Sequence, residues 1–131
     1  MFILVVGCGR LGSYLANRLS EHGHSVVAID RDEAAFEALS PEFSGFRLEG
    51  DATEFAVLRE ADIGNADMVV VTTHNDNINL LVSQVAKRLF GVERVIARVY
   101  EPERERTYRD LGIDTVCPVT SVAREILAGL T

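Results

Sequence analysis

The sequence is poor in cysteine: Cys8 and Cys117 are the only two thiols among 131 residues and stand far apart. Such a pair gives no disulfide framework of the kind that staples small secreted domains. Long hydrophobic runs are missing too. No stretch approaches the roughly 20 apolar residues of a transmembrane helix, and no signal peptide is visible. Positive charge is in short supply, with 13 Lys and Arg against 20 Asp and Glu and a net charge of −7. That balance argues against nucleic-acid backbones and anionic membranes as partners. Linkers, low-complexity segments and short internal repeats are absent. What remains is an ordinary globular composition, 47% hydrophobic and 25% charged, long enough for one domain with a real core. The expectation is a single cytoplasmic domain over 1–131, not inserted into a membrane.

The informative residues begin at once. Met1-Phe2-Ile3-Leu4 is an apolar run of strand length, and Val5-Val6-Gly7-Cys8-Gly9-Arg10-Leu11-Gly12 follows it. Beyond lies Ser13 to Leu19, where Leu11, Leu15 and Leu19 recur every four residues, as on one helix face. Strand, glycine turn and helix form the context in which G-x-G-x-x-G reads as a dinucleotide-type phosphate loop. Gly7 is expected to make the tight turn, Gly9 to leave room for a pyrophosphate, and Gly12 to let helix and strand pack closely. Unpaired amides and aligned peptide dipoles at the helix start favour an anion there. An ordinary β-α turn that needs glycine is the plain alternative.

A second signal stands at the right distance. Ser25-Val26-Val27-Ala28-Ile29 reads as the next strand and ends in Asp30, 18 residues after Gly12. An acid about 20 residues on is where a ribose hydroxyl is held. Its charge would repel a 2′-phosphate, which favours NAD or another unphosphorylated adenosine over NADP. Arg31 pulls the other way, since a nearby arginine accommodates that phosphate. Asp32 suits the cap of the next helix.

Strand-like runs recur at 2–6, 25–30, 46–48, 67–73, 94–99 and 114–117 with helical patterns between them. The alternation predicts an α/β fold, a Rossmann-like doubly wound parallel sheet of six strands in the order 3-2-1-4-5-6. His22-Gly23-His24 reads as a helix C-cap; metal ligation there lacks partners at metal-site spacing. Ligands of such sheets bind beyond the carboxyl ends of the strands. Gly50-Asp51-Ala52-Thr53 falls on that rim, either as ligand contact or as a turn in which Asp51 or Thr53 caps the following helix. Thr72 and Thr73 fall there too, as donors to a phosphate or ribose. Asn75 or Asp76 can cap the next helix, and His74 reads as a solvated loop histidine. That helix should bury Ile78, Leu81, Val82, Val85, Ala86 and Leu89 and end at Gly91. Arg98, near the end of an apolar strand, needs either a ligand or an acid such as Glu101. The charge-rich helix after Pro102 reads as a solvated face. Thr120 is expected to cap a last helix, about 120–131, whose apolar face of Val122, Ala123, Ile126, Leu127 and Leu130 meets another subunit or leads into a second domain.

Taken together, Gly7-Cys8-Gly9-Arg10-Leu11-Gly12, Val27-Ala28-Ile29-Asp30-Arg31-Asp32, Gly50-Asp51-Ala52-Thr53, Val69-Val70-Val71-Thr72-Thr73 and Ile96-Ala97-Arg98 resemble the N-terminal RCK (KTN, TrkA-N) domain of potassium-transport regulators. The likeness covers essentially the whole chain. It implies binding of NAD(H) or an adenine nucleotide (ATP, ADP or AMP), a homodimer or higher homo-oligomer, and a membrane potassium transporter or channel subunit as partner. It implies that Gly7 to Gly12 hold the phosphates, with Arg10 reaching a phosphate of its own or a neighbouring subunit's ligand. Asp30 would hold the ribose, Arg31 flank the adenine, and Asp51, Ala52 and Thr53 line its pocket. Thr72, Thr73 and Arg98 would face the far end of the nucleotide. The last helix resembles the one that crosses to the partner subunit and leads to a C-terminal RCK domain.

Cys8 sits inside the phosphate turn, either as a thiol activated by the helix N-terminus or as a small buried filler. The rival function is a nicotinamide-dependent oxidoreductase, which needs an acid or base and an enclosed substrate site. The cofactor fold uses up the chain and no Tyr-x-x-x-Lys pair is present. A redox sensor working through Cys8 is a third class. A non-enzymatic regulatory module that senses a nucleotide is the reading preferred on these motifs.

Overall fold

The computed structural model describes residues 1–130; the expected end of the last helix at Thr131 lies outside the described residues. Six strands form one sheet: β1 (Phe2–Val6), β2 (Ser25–Asp30), β3 (Phe46–Glu49), β4 (Met68–Val71), β5 (Arg94–Arg98) and β6 (Asp114–Val116). Their order is β3-β2-β1-β4-β5-β6 and every pairing is parallel, so the expected topology is the one adopted. Helices α1 (Arg10–Glu21), α2 (Phe55–Glu60), α3 (Asp76–Gln84), α4 (Glu105–Asp110) and α5 (Pro118–Ala128) carry the crossovers and the end of the chain. A 3-10 segment over Glu33–Ala38 replaces a helix between β2 and β3, capped by Asp32 as expected, whose side chain accepts from the Ala34 amide at 3.0 Å.

Alternation along β1 explains why the apolar runs are continuous. Ile3 and Val5 face α1 and the 3-10 segment, packing with Cys8, Ala16, Phe36 and Phe43. Leu4 and Val6 face the other side and pack with Leu58 of α2, Val82 of α3 and Tyr108 of α4. A strand buried on both faces needs apolar residues at every position. α1 approaches closely because its inward stripe is small: Gly12, Ser13 and Ala16 are buried, while Leu11, Leu15 and Leu19 are only half-buried beside them.

Three expected details differ. On α3 the buried face is Asn79, Val82, Ser83 and Ala86, while Leu81 and Leu89 stand exposed at 49% and 63%. The helix widens into a π-type turn over Val85–Leu89, which rotates the later side chains relative to an unbroken α pattern. α5 starts two residues before Thr120, capped at Cys117 with Pro118 in its first turn, where a missing amide costs nothing. Thr120 instead donates its hydroxyl to Glu105 at 3.0 Å. The charged segment after Pro102 is not wholly solvated, since Tyr108 is fully buried and donates to the Asp76 carbonyl. Among the described residues no helix is long and apolar enough to cross a membrane.

Candidate functional site

The glycine loop leaves β1 at the centre of the sheet, where β2 and β4 diverge. Gly7 turns at φ +96°, and a Cβ there would lie 2.9 Å from the Thr73 amide. Gly12 is needed for packing, because its Cβ would stand 1.7 Å from the Gly7 carbonyl oxygen. Gly9 differs from both. It has φ −73°, open to any residue, and its Cβ would meet only the tip of the His74 ring, at 3.3 Å. The fold does not require that glycine, so the bare backbone is free for the close approach of a ligand.

Asp30 ties this loop down. Its Oδ2 accepts the Cys8 amide at 2.8 Å and its Oδ1 accepts the Asp32 amide at 2.9 Å. Thr72 acts from the other side. It is buried, and its hydroxyl lies 3.0 Å from the Gly7 carbonyl and 3.3 Å from that of Val6. The amides of Gly9, Arg10, Leu11 and Gly12 follow, and among the described residues none has an acceptor. The N-cap Gly9 offers no side chain to take one. Four unpaired amides at the positive end of a 12-residue helix are a natural seat for phosphate oxygens.

A crevice of about 310 Å³ opens beside the loop. Gly7, Asp30, Arg31, Asp51, Ala52 and Thr73 line it, with Ile29, Gly50, His74, Asn75 and Ile78. Asp51 makes a turn and not a cap: its Oδ1 accepts the Thr53 amide at 2.9 Å and the Thr53 hydroxyl at 2.7 Å. Those two bonds hold the Asp51 carboxyl below its ordinary range, so it stays charged. The cap of α2 is Glu54, without a side-chain bond. Thr53 therefore stands one step behind the crevice wall and fixes Asp51. Arg10 is exposed on the first turn of α1, with no ion pair or hydrogen bond to its side chain among the described residues, and is free to meet an anion. Leu11 is half-buried beside it and offers its amide alone.

Arg98 is 8% exposed and pairs with no acid among the described residues; Glu101 pairs with Arg104 at 3.2 Å. Its NH2 group donates to the Thr73 carbonyl at 3.1 Å and reaches His74 Nδ1 at 3.2 Å and the Tyr100 hydroxyl. Its carbon centre lies 4.5 Å from the Tyr100 ring centroid, a cation–π contact. The Nε proton of Arg98 is buried without an acceptor. Arg98 thus supports the β4 turn from behind and does not line the crevice.

Asn79, fully buried, uses its whole amide to tie that turn to the end of β5. Its Oδ1 accepts from the Thr73 amide at 3.0 Å and from the Thr73 hydroxyl, and its Nδ2 donates to the carbonyls of Thr73 and Arg98 at 3.0 Å each. The Thr73 hydroxyl proton is thereby used inside the turn. Asn75 caps α3, accepting the Ile78 amide at 3.0 Å. Asp76 accepts the amides of Tyr100 and Glu101, at 2.9 and 3.3 Å. Sequence reasoning passed over Asn79 and Tyr100, though both carried signals: an amide on the inward face of an apolar helix, and an aromatic two residues after Arg98.

Cys8 faces the core with 1% exposure. Burial first, then the charge of Asp30, pushes its thiol up to about 11. A thiol so disposed is protonated at neutral pH; in the fold it fills space in the core, and its amide is the one Asp30 accepts. His22 and His24 are also accounted for, by the Arg18 carbonyl at 2.6 Å and the terminal amine at 3.1 Å.

The family profile described as the TrkA-N domain matches residues 3–118. The chain belongs to the TrkA-N domain family. It is 42% identical over 130 residues to the Trk system potassium uptake protein TrkA of Streptomyces coelicolor, covering 99% of this chain and 58% of that protein. The solved GsuK channel bound to NAD superposes with a TM-score of 0.80 and 31% identity over 98% of this chain and 23% of the channel chain. A structure of GsuK bound to ADP gives a TM-score of 0.79 at the same identity, over 98% of this chain and 33% of that one. This TrkA-N domain thus spans little more than half the length of the uptake protein it matches.

The loop of this TrkA-N domain fits a nucleotide on its own geometry. Gly9 leaves the room, four amides and Arg10 supply positive potential, and Asp30 stands at the end of β2 with lone pairs left for a sugar hydroxyl.

Proposed function

We propose that this TrkA-N domain is a nucleotide-sensing regulatory module that binds NAD(H) or an adenine nucleotide (ATP, ADP or AMP) and controls a membrane potassium transporter or channel subunit from the cytoplasmic side. The observation that carries the reading is Gly9: a glycine the fold does not need, under four amides the fold does not pair. The names of the relatives, potassium uptake proteins and an NAD-bound channel, support it.

In this reading the diphosphate lies on Gly9 with Arg10 alongside, and Asp30 accepts from the adenosine ribose. Arg31 flanks the adenine, and Asp51 and Ala52 wall its pocket. Thr53, Thr72 and Arg98 hold the walls in place. The domain catalyses nothing; occupancy biases two arrangements of a homodimer. A ligand with a tenfold preference for one arrangement supplies about 1.4 kcal/mol per site. The dimer forms through α5, which buries none of its residues and exposes Val119, Val122, Ile126 and Leu127 by 54–62%.

Calorimetric titration with NAD, NADH, NADP, ATP, ADP and AMP tests the proposal. Saturable binding of at least one, with NADP the weaker of the dinucleotides, is expected. Failure of all six to bind overturns it. A win for NADP would remove the ribose role of Asp30.

A further inference from the structure

His74 stands on the crevice rim, exposed, and the proposed function leaves it without a task. Its ring is held from one edge. Nδ1 lies 3.2 Å from an Arg98 NH2 group and 2.8 Å from the Tyr100 hydroxyl, with the Tyr100 ring stacked alongside at a centroid distance of 6.4 Å. The two protons of that NH2 group have oxygen acceptors, the Thr73 carbonyl and the Tyr100 hydroxyl, which leaves the Tyr100 hydroxyl proton for Nδ1 to accept. The single proton of the neutral imidazole is then on Nε2. That nitrogen is turned onto Gly9, 3.3 Å from where a Cβ would stand, and no protein group takes its proton among the described residues. Arg98 itself is held by the Thr73 carbonyl, so the tautomer is fixed from the core outward.

We propose that His74 is a phosphate-reading residue of this domain: its Nε2–H, set in that tautomer by Arg98 and Tyr100, donates to the diphosphate of an adenine nucleotide lying on Gly9. The proposal rests on the nucleotide reading above. It gives Arg98 a reason to be buried without an acid: a carboxylate there would compete for the hydrogen bond that orients the ring. It also separates two ligand classes, since a nucleoside without phosphate gains nothing from Nε2 whereas a diphosphate gains a directed donor.

Titration of ADP and of adenosine into the unsubstituted chain, His74→Phe and His74→Gln tests it. Phenylalanine keeps the flat ring and loses the donor; glutamine returns an N–H at similar reach. ADP is expected to weaken about tenfold or more in His74→Phe, with adenosine changed less than about twofold and His74→Gln recovering part of the loss. ADP affinity unmoved in His74→Phe, or adenosine falling in step with ADP, overturns the proposal. Ring 15N shifts of ligand-free protein at pH 8 give an independent reading, with His74→Gln assigning the signals. A protonated Nε2 and bare Nδ1 are expected, and the opposite tautomer overturns the role of His74 whether or not nucleotides bind. Absence of binding by the unsubstituted chain sinks the nucleotide reading itself, a different result from an intact chain that ignores His74→Phe.

Discussion

Asp30 and Cys8 are joined across the ends of two neighbouring strands, the carboxylate Oδ2 accepting the Cys8 amide at 2.8 Å. The acid that awaits a sugar hydroxyl is therefore also the clasp of the phosphate loop, so fold and ligand share one carboxylate. Asp30→Ala leaves the part-buried Cys8 amide unpaired and is expected to lower stability by about 1–3 kcal/mol while weakening nucleotides. Asp30→Asn keeps an acceptor for the part-buried Cys8 amide but turns its NH2 toward the exposed Asp32 amide, so it should cost less stability than Asp30→Ala while still losing the charged bond to ribose. Urea midpoints beside titrations separate the two effects.

Two glycines of the same motif answer differently to a methyl group. Gly12→Ala drives a Cβ to 1.7 Å from a backbone carbonyl oxygen, a collision that only movement of α1 relieves. Loss of cooperative folding is expected, with thermal denaturation as the check. Gly9→Ala presses only on the tip of the exposed His74 ring and should melt within a few degrees of the unsubstituted chain while binding ADP at least tenfold more weakly. A Gly9→Ala protein that binds ADP normally would remove the phosphate from that position.

The Cys8 thiol, pushed up to about 11 by burial, ties stability to alkaline pH. A thiol whose folded pKa is raised holds its proton more tightly when folded. Its contribution is complete below the unfolded value near 8.5 and is lost as pH climbs through about 11. Stability should fall between pH 9 and 11 by up to about 1.4 kcal/mol per pH unit, and Cys8→Ala should remove that part of the slope. Urea unfolding of both proteins at pH 8 and pH 10.5 checks it. Alkylation of native protein at pH 7.5 should leave Cys8 unmodified.

Val122 and Ile126 are exposed at 55% and 61% on one face of α5. If that face seats a second copy, Val122→Asp with Ile126→Asp should turn the dimer into a monomer in sedimentation velocity with no loss of thermal stability per chain. A double variant that sediments as the unsubstituted protein does would move the dimer contact elsewhere.

The sheet was legible in the sequence because its strands are buried on both faces, which leaves uninterrupted runs such as Met68–Val71 and an order that the glycine loop and crossover handedness decide. The loop and Asp30 were legible because backbone chemistry demands those residue types at that spacing. The inward face of α3 was not. Asn79 and Ser83 are buried where a periodicity argument asks for apolar side chains; Asn79 satisfies three groups of the β4 turn and the Arg98 carbonyl of β5, and the π-type turn shifts the residues that follow, such as Leu89. Tyr108 was hidden for the converse reason, one aromatic among charged neighbours with its hydroxyl taken by the Asp76 carbonyl. Such polar ties join residues remote in the chain and leave no periodic trace.

The Thr72 hydroxyl, set against the carbonyls that close β1, rivets the two halves of the sheet together where the cleft begins. The seam is thus tied by a side chain as well as by the strand pairing of β1 with β4. Around that seam stand Arg10 and Arg31, whose side chains make no hydrogen bond or ion pair among the described residues, and His74, which Arg98 and Tyr100 hold by one edge of its ring.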